Sequence, residues 1–179
     1  GDDALLFDHG RAVRTYYAHS RVTGVAFAGA TAVTAGRDGR VRIWRTPART
    51  LAAGGPVTAL AASPTRVAAA IRGGAVVVWS AEGRKLTAFK ERAAVDGLAI
   101  SPDGRFLATA GADSVARLRA LAGGKLVHEL PGHKAPVTGV AFTPDGTILA
   151  TSSIDDTVSL WDVSTGAPGP VIHAHFARV

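Results

Sequence analysis

The feature that most constrains the fold is a unit of three short apolar runs that recurs along the chain. Its clearest copy is HKAPVTGVAFTPDGTILATSSIDDTVSLWD, residues 133–162. The runs are rich in β-branched and aromatic residues, and turn residues such as Asp145 and Gly146 separate them. Short runs of this composition between turns are typical of consecutive antiparallel strands. Helical periodicity is absent, so the unit predicts a small antiparallel sheet.

The same unit recurs in three further places. In the clearest copy, the first run has apolar residues at Val137, Val140 and Phe142. The other copies have the same spacing at Val22, Val25 and Phe27, at Val57, Leu60 and Ala62, and at Val95, Leu98 and Ile100. The third runs end at Trp44, Trp79, Arg119 and Trp161. Successive copies lie about 35–42 residues apart, a spacing typical of proteins built from repeated small sheets.

Single sheets of this kind must stack. In the run Val76–Trp79, alternate residues point to opposite sides of the strand, and both sides are apolar. A sheet that is apolar on both faces needs a neighbour on each side to exclude water. The sequence therefore predicts a series of stacked sheets that share one architecture.

The unit resembles a known family. Gly132 and His133 before the first run, and Trp161 and Asp162 at the end of the third, are similar to the flanks of a WD repeat (WD40-type). The resemblance covers nearly the whole chain and implies an all-β fold, a β-propeller built of four-stranded antiparallel blades. It divides the chain into an incomplete blade at 1–18, blades one to four at 19–55, 56–92, 93–131 and 132–174, and the start of another blade at 175–179.

The number of blades predicts an open arc or part of a larger ring. Closed propellers typically have four to eight blades, and seven is the usual number for WD-repeat proteins. Four complete blades between two fragments leave two outer faces uncovered, one of them with Val158 and Leu160. We expect the remainder of the ring to come from the same polypeptide or from another chain.

The resemblance also implies a buried hydrogen-bond network in two blades. In the family, it joins a His before the first strand, a Ser or Thr on the second, an Asp in the next turn and a Trp on the third. Blade four supplies His133, Thr151, Asp155 and Trp161, and blade one supplies His19, Thr34, Asp38 and Trp44. Blade two has Ala69 and Gly73 at the Thr and Asp positions, and blade three has Glu91 or Arg92 near the His position and Arg119 at the Trp position. We expect blades two and three to be held more by their neighbours than by internal networks.

Other chemistry is less well supported. The same residue types could form a Ser/Thr-His-Asp catalytic triad, but a triad converges on one exposed site, whereas this set recurs blade by blade. His173 and His175 could present two rings on one strand face to a metal, but no Cys or carboxylate lies nearby in sequence to complete the site. The chain has no Cys and no phosphate-binding glycine motif, so no metal and no cofactor is expected.

Charge and hydropathy limit which partners and which cellular compartment we expect. The net charge is +6, but the Arg residues are spread singly and have no aromatic interleaving, which does not favour nucleic-acid binding. No signal peptide and no apolar run of membrane-spanning length is visible. We therefore expect a cytoplasmic protein without a membrane partner.

The resemblance implies a non-enzymatic scaffold that binds a protein or peptide. Binding in the family usually uses the end of the blades where the loop before the first strand and the turn after the second strand lie. Carried onto this sequence, the positions at that end are Arg21, Arg37, Arg72, Ala112, Lys134 and Ile154, and all except Ala112 are predicted binding residues. Four of the six positions are basic, which favours an acidic or phosphorylated partner. The alternatives are a sensor or regulatory propeller module of a larger bacterial signalling protein and, third, an enzyme with a propeller active site.

Overall fold

Every described secondary-structure element is a β-strand, which confirms the predicted all-β fold. The structure is a computed structural model that describes residues 3–8, 11–17, 21–44 and 47–173. Strands β1 (Asp3–Asp8) and β2 (Arg11–Tyr17) form an antiparallel N-terminal hairpin. The predicted fragment at 175–179 lies outside the described residues.

Four four-stranded antiparallel sheets follow in chain order, each a meander whose strands we call a, b, c and d. Blade one contains β3 (Val22–Ala28), β4 (Thr31–Gly36), β5 (Arg40–Trp44) and β6 (Arg49–Ala52). Blade two contains β7 (Val57–Ala62), β8 (Arg66–Ile71), β9 (Ala75–Ser80) and β10 (Lys85–Lys90). Blade three contains β11 (Val95–Ile100), β12 (Phe106–Gly111), β13 (Val115–Ala120) and β14 (Leu126–Pro131). Blade four contains β15 (Val137–Phe142), β16 (Ile148–Ser153), β17 (Thr157–Asp162) and β18 (Pro168–His173).

The blades stack in sequence order through their apolar faces. Strands a of consecutive blades pack against each other, and strand a of each blade also packs against strand b of the blade before it. Buried side chains fill each interface, such as Val33 and Ile43 of blade one against Val67 and Trp79 of blade two. Both faces of the middle blades are thus covered, as the apolar run in β9 predicts. The four blades form an open arc in the described part of the chain.

The arc leaves one apolar face of blade one exposed. Val25 and Phe27 on strand a are 55% and 50% exposed. The equivalent Leu98 and Ile100 in blade three are partly buried, because they pack against blade two. The N-terminal hairpin contacts β3 through β1, and Val25 and Phe27 nevertheless remain about half exposed.

A β-bulge begins strand a in every blade and brings the inner strands close together. The register shifts between the first and third residues of the strand, as between Val22 and Gly24 in β3. The same shift occurs in β7, β11 and β15. The third residue is small because the neighbouring strand is close: a Cβ added at Gly24 would lie 2.9 Å from the Cβ of Leu60. The bulge directly follows the loop that carries the predicted His position and sets where that loop meets the sheet.

The meander topology gives each blade two distinct ends. The upper end carries the b–c turns and the loops that join strand d to the next strand a. Its segments are residues 37–39, 72–74, 112–114 and 154–156 in the turns, and 53–56, 91–94 and 133–136 in the loops, with Arg21 before β3. The lower end carries the a–b and c–d turns. Within the described residues, no helix is long and apolar enough to cross a membrane.

Candidate protein-interaction site

One backbone hydrogen bond recurs at the upper end of all four blades. In each, the N–H of the residue before the Asp position donates to the carbonyl of the residue before strand a. The four bonds are Arg37 to Arg21 at 3.1 Å, Arg72 to Pro56 at 2.9 Å, Ala112 to Ala94 at 2.9 Å and Ile154 to Pro136 at 3.1 Å. The b–c turn and the preceding loop therefore form one fixed unit in every blade, whatever side chains they carry.

Blade four adds a continuous side-chain network to this unit. His133 lies at its centre: Nδ1 is 3.1 Å from Asp155 Oδ2, and Nε2 is 2.8 Å from Thr151 Oγ1. The indole N–H of Trp161 donates to the same Thr151 oxygen at 2.9 Å. The neutral His tautomer with its proton on Nδ1 satisfies these contacts, since Nδ1–H donates to Asp155 and Nε2 accepts from the Thr151 hydroxyl. The four residues that the sequence singles out in blade four thus lie together.

Asp155 joins the turn to the loop electrostatically. Its carboxylate accepts hydrogen bonds from the Thr157 hydroxyl at 2.6 Å and from the Lys134 backbone N–H at 2.7 Å, in addition to His133. Burial acts to raise the pKa of Asp155, but the hydrogen bonds from Thr157, Lys134 and His133 outweigh it and hold that pKa well below its ordinary value. The ionised carboxylate is therefore the form that the upper end of blade four requires.

The geometry of this set differs from that of a hydrolytic triad. A nucleophilic hydroxyl must be open to a substrate, whereas Thr151 is 1% exposed and accepts a hydrogen bond from the Trp161 indole. The side chain of His133 is fully buried between Asp155 and Thr151. These contacts hold the strands and turns of the blade in register.

Blade one keeps part of the same arrangement. The Trp44 indole N–H donates to Thr34 Oγ1 at 2.9 Å, as in blade four. Asp38 binds Arg42, whose Nη2 lies 2.6 Å from Asp38 Oδ2, and the Arg42 side chain is 9% exposed. Arg42 pairs with Thr34 across strands b and c. The fourth predicted member, His19, lies outside the described residues.

Blade three fills the same positions with ions. Glu91 takes the place of His133, and the Thr109 hydroxyl donates to Glu91 Oε1 at 3.2 Å across the same separation of 18 residues. Arg119 takes the place of Trp161 and donates to both Glu91 oxygens, from Nε at 2.7 Å and from Nη2 at 2.8 Å. The Glu91 side chain is 1% exposed, so this is a buried, bidentate ion pair.

A second buried arginine extends the ionic network to the b–c turn. Arg117 donates to both oxygens of Asp113, at 3.1 Å and 2.6 Å, and its Nε lies 3.7 Å from Glu91 Oε2. It also donates to Glu129 on strand d at 3.3 Å. The hydrogen bonds from Arg117 lower the pKa of Asp113, and Asp113 in turn raises the pKa of Arg117. Glu91 is the buried carboxylate of this network, and the partly exposed Asp113 and Glu129 supply further negative charge to Arg117.

We expected blade three to be held more by its neighbours than by an internal network, yet the structure shows an extensive internal network in this blade. Arg119 donates to the carbonyl of Gly124 at 3.0 Å and lies 4.5 Å from the ring centre of Phe89 in blade two. It thus connects its own c–d turn to the neighbouring blade. The His position belongs to Glu91, whereas Arg92 is exposed. The departures from the family pattern occur in complementary pairs, which preserves the connections.

Blade two has apolar residues at these positions. Ala69 is fully buried and Trp79 is 3% exposed, and both pack in the cluster that contains Val33 and Ile43 of blade one. Gly73, at the Asp position, has a φ of +93°, a conformation that favours glycine. This blade is held by its apolar packing on both sides.

Comparison with known families identifies the repeat. The sequence model of "WD domain, G-beta repeat" matches residues 10–45, 82–118 and 124–162, which together make up more than half of the chain. The chain belongs to the WD-repeat family. No curated protein matches it in a search of whole sequences.

The matched WD repeats do not coincide with the sheets. Each matched segment begins near strand d of one sheet and continues through strands a, b and c of the next: β2 to β5, β10 to β13, and β14 to β17. The matches do not cover the repeat that supplies strands a to c of blade two, which has apolar residues or Gly at the Thr and Asp positions. A WD repeat therefore holds one complete polar network but completes its sheet only with the following repeat.

The predicted binding residues lie on the upper-end turns and loops. Arg21, Arg37, Arg72 and Lys134 are exposed, and Ile154 is 57% exposed. Within the described residues, the side chains of the four basic members form no ion pair. Sequence reasoning missed the buried Arg42 and Arg117; the signal that could have found them is a charged residue opposite the Thr of strand b. No group of three or more His, Cys, Asp and Glu in the described residues could hold a metal ion.

Proposed function

We propose that this WD-repeat chain is a non-enzymatic interaction platform whose upper end binds an acidic or phosphorylated segment of a partner protein. WD-repeat domains generally bind proteins or peptides and typically act as scaffolds. The observation that carries the finer proposal is the set of exposed cations on neighbouring upper-end turns, Arg37 and Arg72 above all. Arginine is well suited to carboxylate and phosphate groups because its planar fork donates two parallel hydrogen bonds.

The contacts that the turn carboxylates make with the blade interiors support this proposal. The turn carboxylates Asp38, Asp113 and Asp155 hydrogen bond to Arg42, Arg117 and His133, which belong to the interior of their own blades. The basic side chain of Arg37 is exposed in the turn that carries Asp38, and Arg72 is exposed in the turn of blade two, which contains no carboxylate. Around Arg37 and Arg72 the upper end thus presents positive charge, whereas the exposed carboxylate of Asp156 lies in the turn of blade four.

The fixed geometry of the turns also supports the proposed binding of an acidic or phosphorylated segment at the upper end. The b–c turns are tied to the preceding loops by the recurrent backbone bonds, and Asp155 anchors the backbone of Lys134 at 2.7 Å. Groups held in place before binding lose less conformational entropy when a partner docks, which favours affinity.

The test is a double charge reversal, Arg37→Glu with Arg72→Glu, in the full-length protein. Partners captured by the wild type should be lost or weakened at least about tenfold, while the thermal midpoint stays nearly unchanged because exposed charges contribute little to folding. The matched control is Lys85→Glu with Lys125→Glu, two exposed residues at the lower end, which changes the net charge equally. Retention of the same partners by the Arg37/Arg72 variant, or equal loss in the control, would contradict the proposal.

We also propose that further blades, from the same polypeptide or from another chain, complete the ring. The exposure of Val25 and Phe27 supports this, because the equivalent residues of later blades pack against a neighbouring sheet. Static light scattering on the isolated 179 residues checks it, with self-association as the expected result. A stable monomer would contradict the proposal.

A further inference from the structure

A cavity of about 530 Å³ lies at the lower end of the groove between blades two and three. Blade two contributes Arg66 and Leu86, and blade three contributes Arg105, Phe106 and Leu121. These residues begin strands b and d, or lie in the a–b and c–d turns. The cavity is therefore at the opposite end of the sheets from Arg37 and Arg72. Its volume is in the range of pockets that hold ligands.

The cavity exists because one strand-d side chain is short. In the groove between blades one and two, Arg49 donates to the Glu82 carbonyl at 2.6 Å in the c–d turn of the next blade. Between blades three and four, His128 lies 3.3 Å from the Ser164 carbonyl in the equivalent turn. Strand register places Thr87 at the same position in blade two, since Arg49, Thr87 and His128 pair with equivalent strand-c residues.

Thr87 leaves that turn uncovered. It lies beside Gly124, as Arg49 lies beside Gly83 and His128 beside Gly166. Its side chain is too short to reach over the c–d turn of blade three, so Ala122 and Gly123 of that turn line the cavity. The other two grooves have a longer side chain across this turn.

The same groove differs from the others in charge. Its lining contains two arginines and no carboxylate. In blade four, the position of Ala120 is taken by Asp162, and in blade two the c–d turn carries Glu82. The two neighbouring grooves thus carry an acidic residue where this groove is neutral or basic.

The two arginines retain donors for a ligand. Arg66 gives one N–H to the neighbouring Thr65 carbonyl, at 3.0 Å from Nη1. The Arg105 guanidinium lies 5.4 Å from the ring centre of Phe106. The nearest carboxylate in sequence, Asp103, is already bound by the Ser101 hydroxyl at 2.6 Å and by the Arg105 backbone N–H at 3.0 Å. Arg105 also attracts Asp103 electrostatically, but the described residues show no ion pair between them, so a bound carboxylate would meet guanidinium groups that retain N–H donors.

We propose that this groove is a second docking site, for a protein segment that carries carboxylates on either side of an apolar side chain. Arg66 and Arg105 bind the carboxylates, and the apolar side chain packs on Phe106, Leu86 and Leu121. Charge complementarity selects this occupant over a neutral or basic peptide, and the apolar floor selects it over a simple anion. The site is separate from the upper end, so two acidic partners could bind the arc at once.

The probe is a fluorescein-labelled peptide with glutamates on both sides of a central phenylalanine, titrated into the full chain and followed by anisotropy. We expect saturable binding, with amide shift changes at Leu86, Gly104 and Gly123 in two-dimensional NMR. The variant Arg66→Gln with Arg105→Gln should weaken binding at least about tenfold, because two charge-assisted contacts are lost. Its unchanged melting curve would show that the fold is intact.

Controls fix the location and the chemistry. The variant Arg37→Gln with Arg72→Gln, at the upper end, should leave these shift changes in place. A peptide with glutamine at every glutamate, or with alanine in place of phenylalanine, should bind weakly. Equal weakening by the upper-end pair, undiminished binding of the glutamine peptide, or displacement by inorganic phosphate at the same concentration would overturn the proposal. Because this test uses different residues, its result is independent of the proposed upper-end function.

Discussion

Blades three and four have the same strands, the same register and the same four linked positions, yet they connect them with different chemistry. Blade four joins His133, Thr151 and Trp161 by hydrogen bonds that meet at the Thr151 hydroxyl, and one carboxylate anchors His133. Blade three uses Glu91 and Arg119 at the first and last of these positions. The comparison shows that the geometry of the unit is fixed by the backbone, and that its side chains need only match one another.

The networks of blades three and four should respond differently to the loss of one side chain. A buried ion whose partner is removed retains an uncompensated charge, which is more unfavourable than a buried dipole without a partner. Blade three, with Arg117 and Arg119 around one buried carboxylate, should therefore be the more sensitive of the two to a single substitution.

The largest expected effect is that of Glu91→Ala. It leaves Arg119 without its carboxylate in the interior and weakens the environment of Arg117, so we expect a loss of about 3–5 kcal/mol in the free energy of unfolding. Urea denaturation measures it. The matched control is Glu129→Ala, which removes a 40% exposed partner of the same Arg117 and should lower stability by less than about 1 kcal/mol. Similar losses for the two variants would show that the buried ion pair has no special role.

The second-largest loss of stability is expected for Asp155→Ala in blade four. It leaves the donors of His133, Thr157 and the Lys134 backbone without an acceptor, and we expect a loss of about 1–3 kcal/mol. Thermal melts check this, with Asp113→Ala in blade three as the comparison. Arg117 retains two other carboxylates, so the blade-three variant should lose less. An unchanged midpoint for Asp155→Ala would contradict the role assigned to the network.

The pH dependence sharpens the same comparison. The folded-state pKa of Asp155 is depressed, so its stabilisation is fully present above the ordinary value of 3.8 and is lost as the pH falls through the depressed value. Urea denaturation between about pH 6 and about pH 2 should therefore show wild-type stability falling below about pH 4. Asp155→Asn should fall less steeply in that window. If stability fell with pH equally in the wild type and in Asp155→Asn, the acid sensitivity would come from groups other than Asp155.

The smallest effect tests whether the blade-four network can be transplanted one residue at a time. Gly73→Asp places a carboxylate in blade two, where Ala69 stands at the Thr position and the φ of residue 73 is +93°. We expect no stabilisation and a loss of up to about 1 kcal/mol, because a side chain is strained there and has no internal partner. A raised melting temperature would show that the turn alone, without the network, benefits from the carboxylate.

The fold and the blade-four network could be predicted because both depend on spacing. The distances in sequence between apolar runs fix the strands, and those between His133, Thr151, Asp155 and Trp161 fix the network once a WD repeat is assumed. The ionic network of blade three was missed although Glu91 and Arg119 stand at the matching separations from Thr109. Considered alone, Glu91 and Arg119 each replace the residue that the family pattern has at that position. Only when they are considered together do they form a complementary ion pair.

The lower groove could not be read from the sequence for a different reason. It depends on which strand-d residue lies over the next c–d turn, and the bulge between β9 and β10 changes that register. No sequence pattern marks Thr87. It matters because its short side chain leaves the c–d turn of blade three uncovered. The exposure of the upper-end arginines follows from the family pattern. The identity of a partner does not follow from the spacing of residues in the sequence.

The offset between repeats and sheets has a consequence for how this chain tolerates cutting. Strand β14 belongs to the matched segment 124–162 but pairs with β13, so it completes a sheet built by the segment before it. A chain cleaved in the turn at 122–124 would remain one particle, because main-chain hydrogen bonds hold β14 of one fragment to β13 of the other. Cleavage in the loop at 132–136 would leave side-chain contacts between the pieces, among them the His128–Ser164 hydrogen bond, but no strand pairing. Two separately expressed fragments divided at a c–d turn should therefore reassemble by strand pairing, which makes these turns the natural break points for a split reporter.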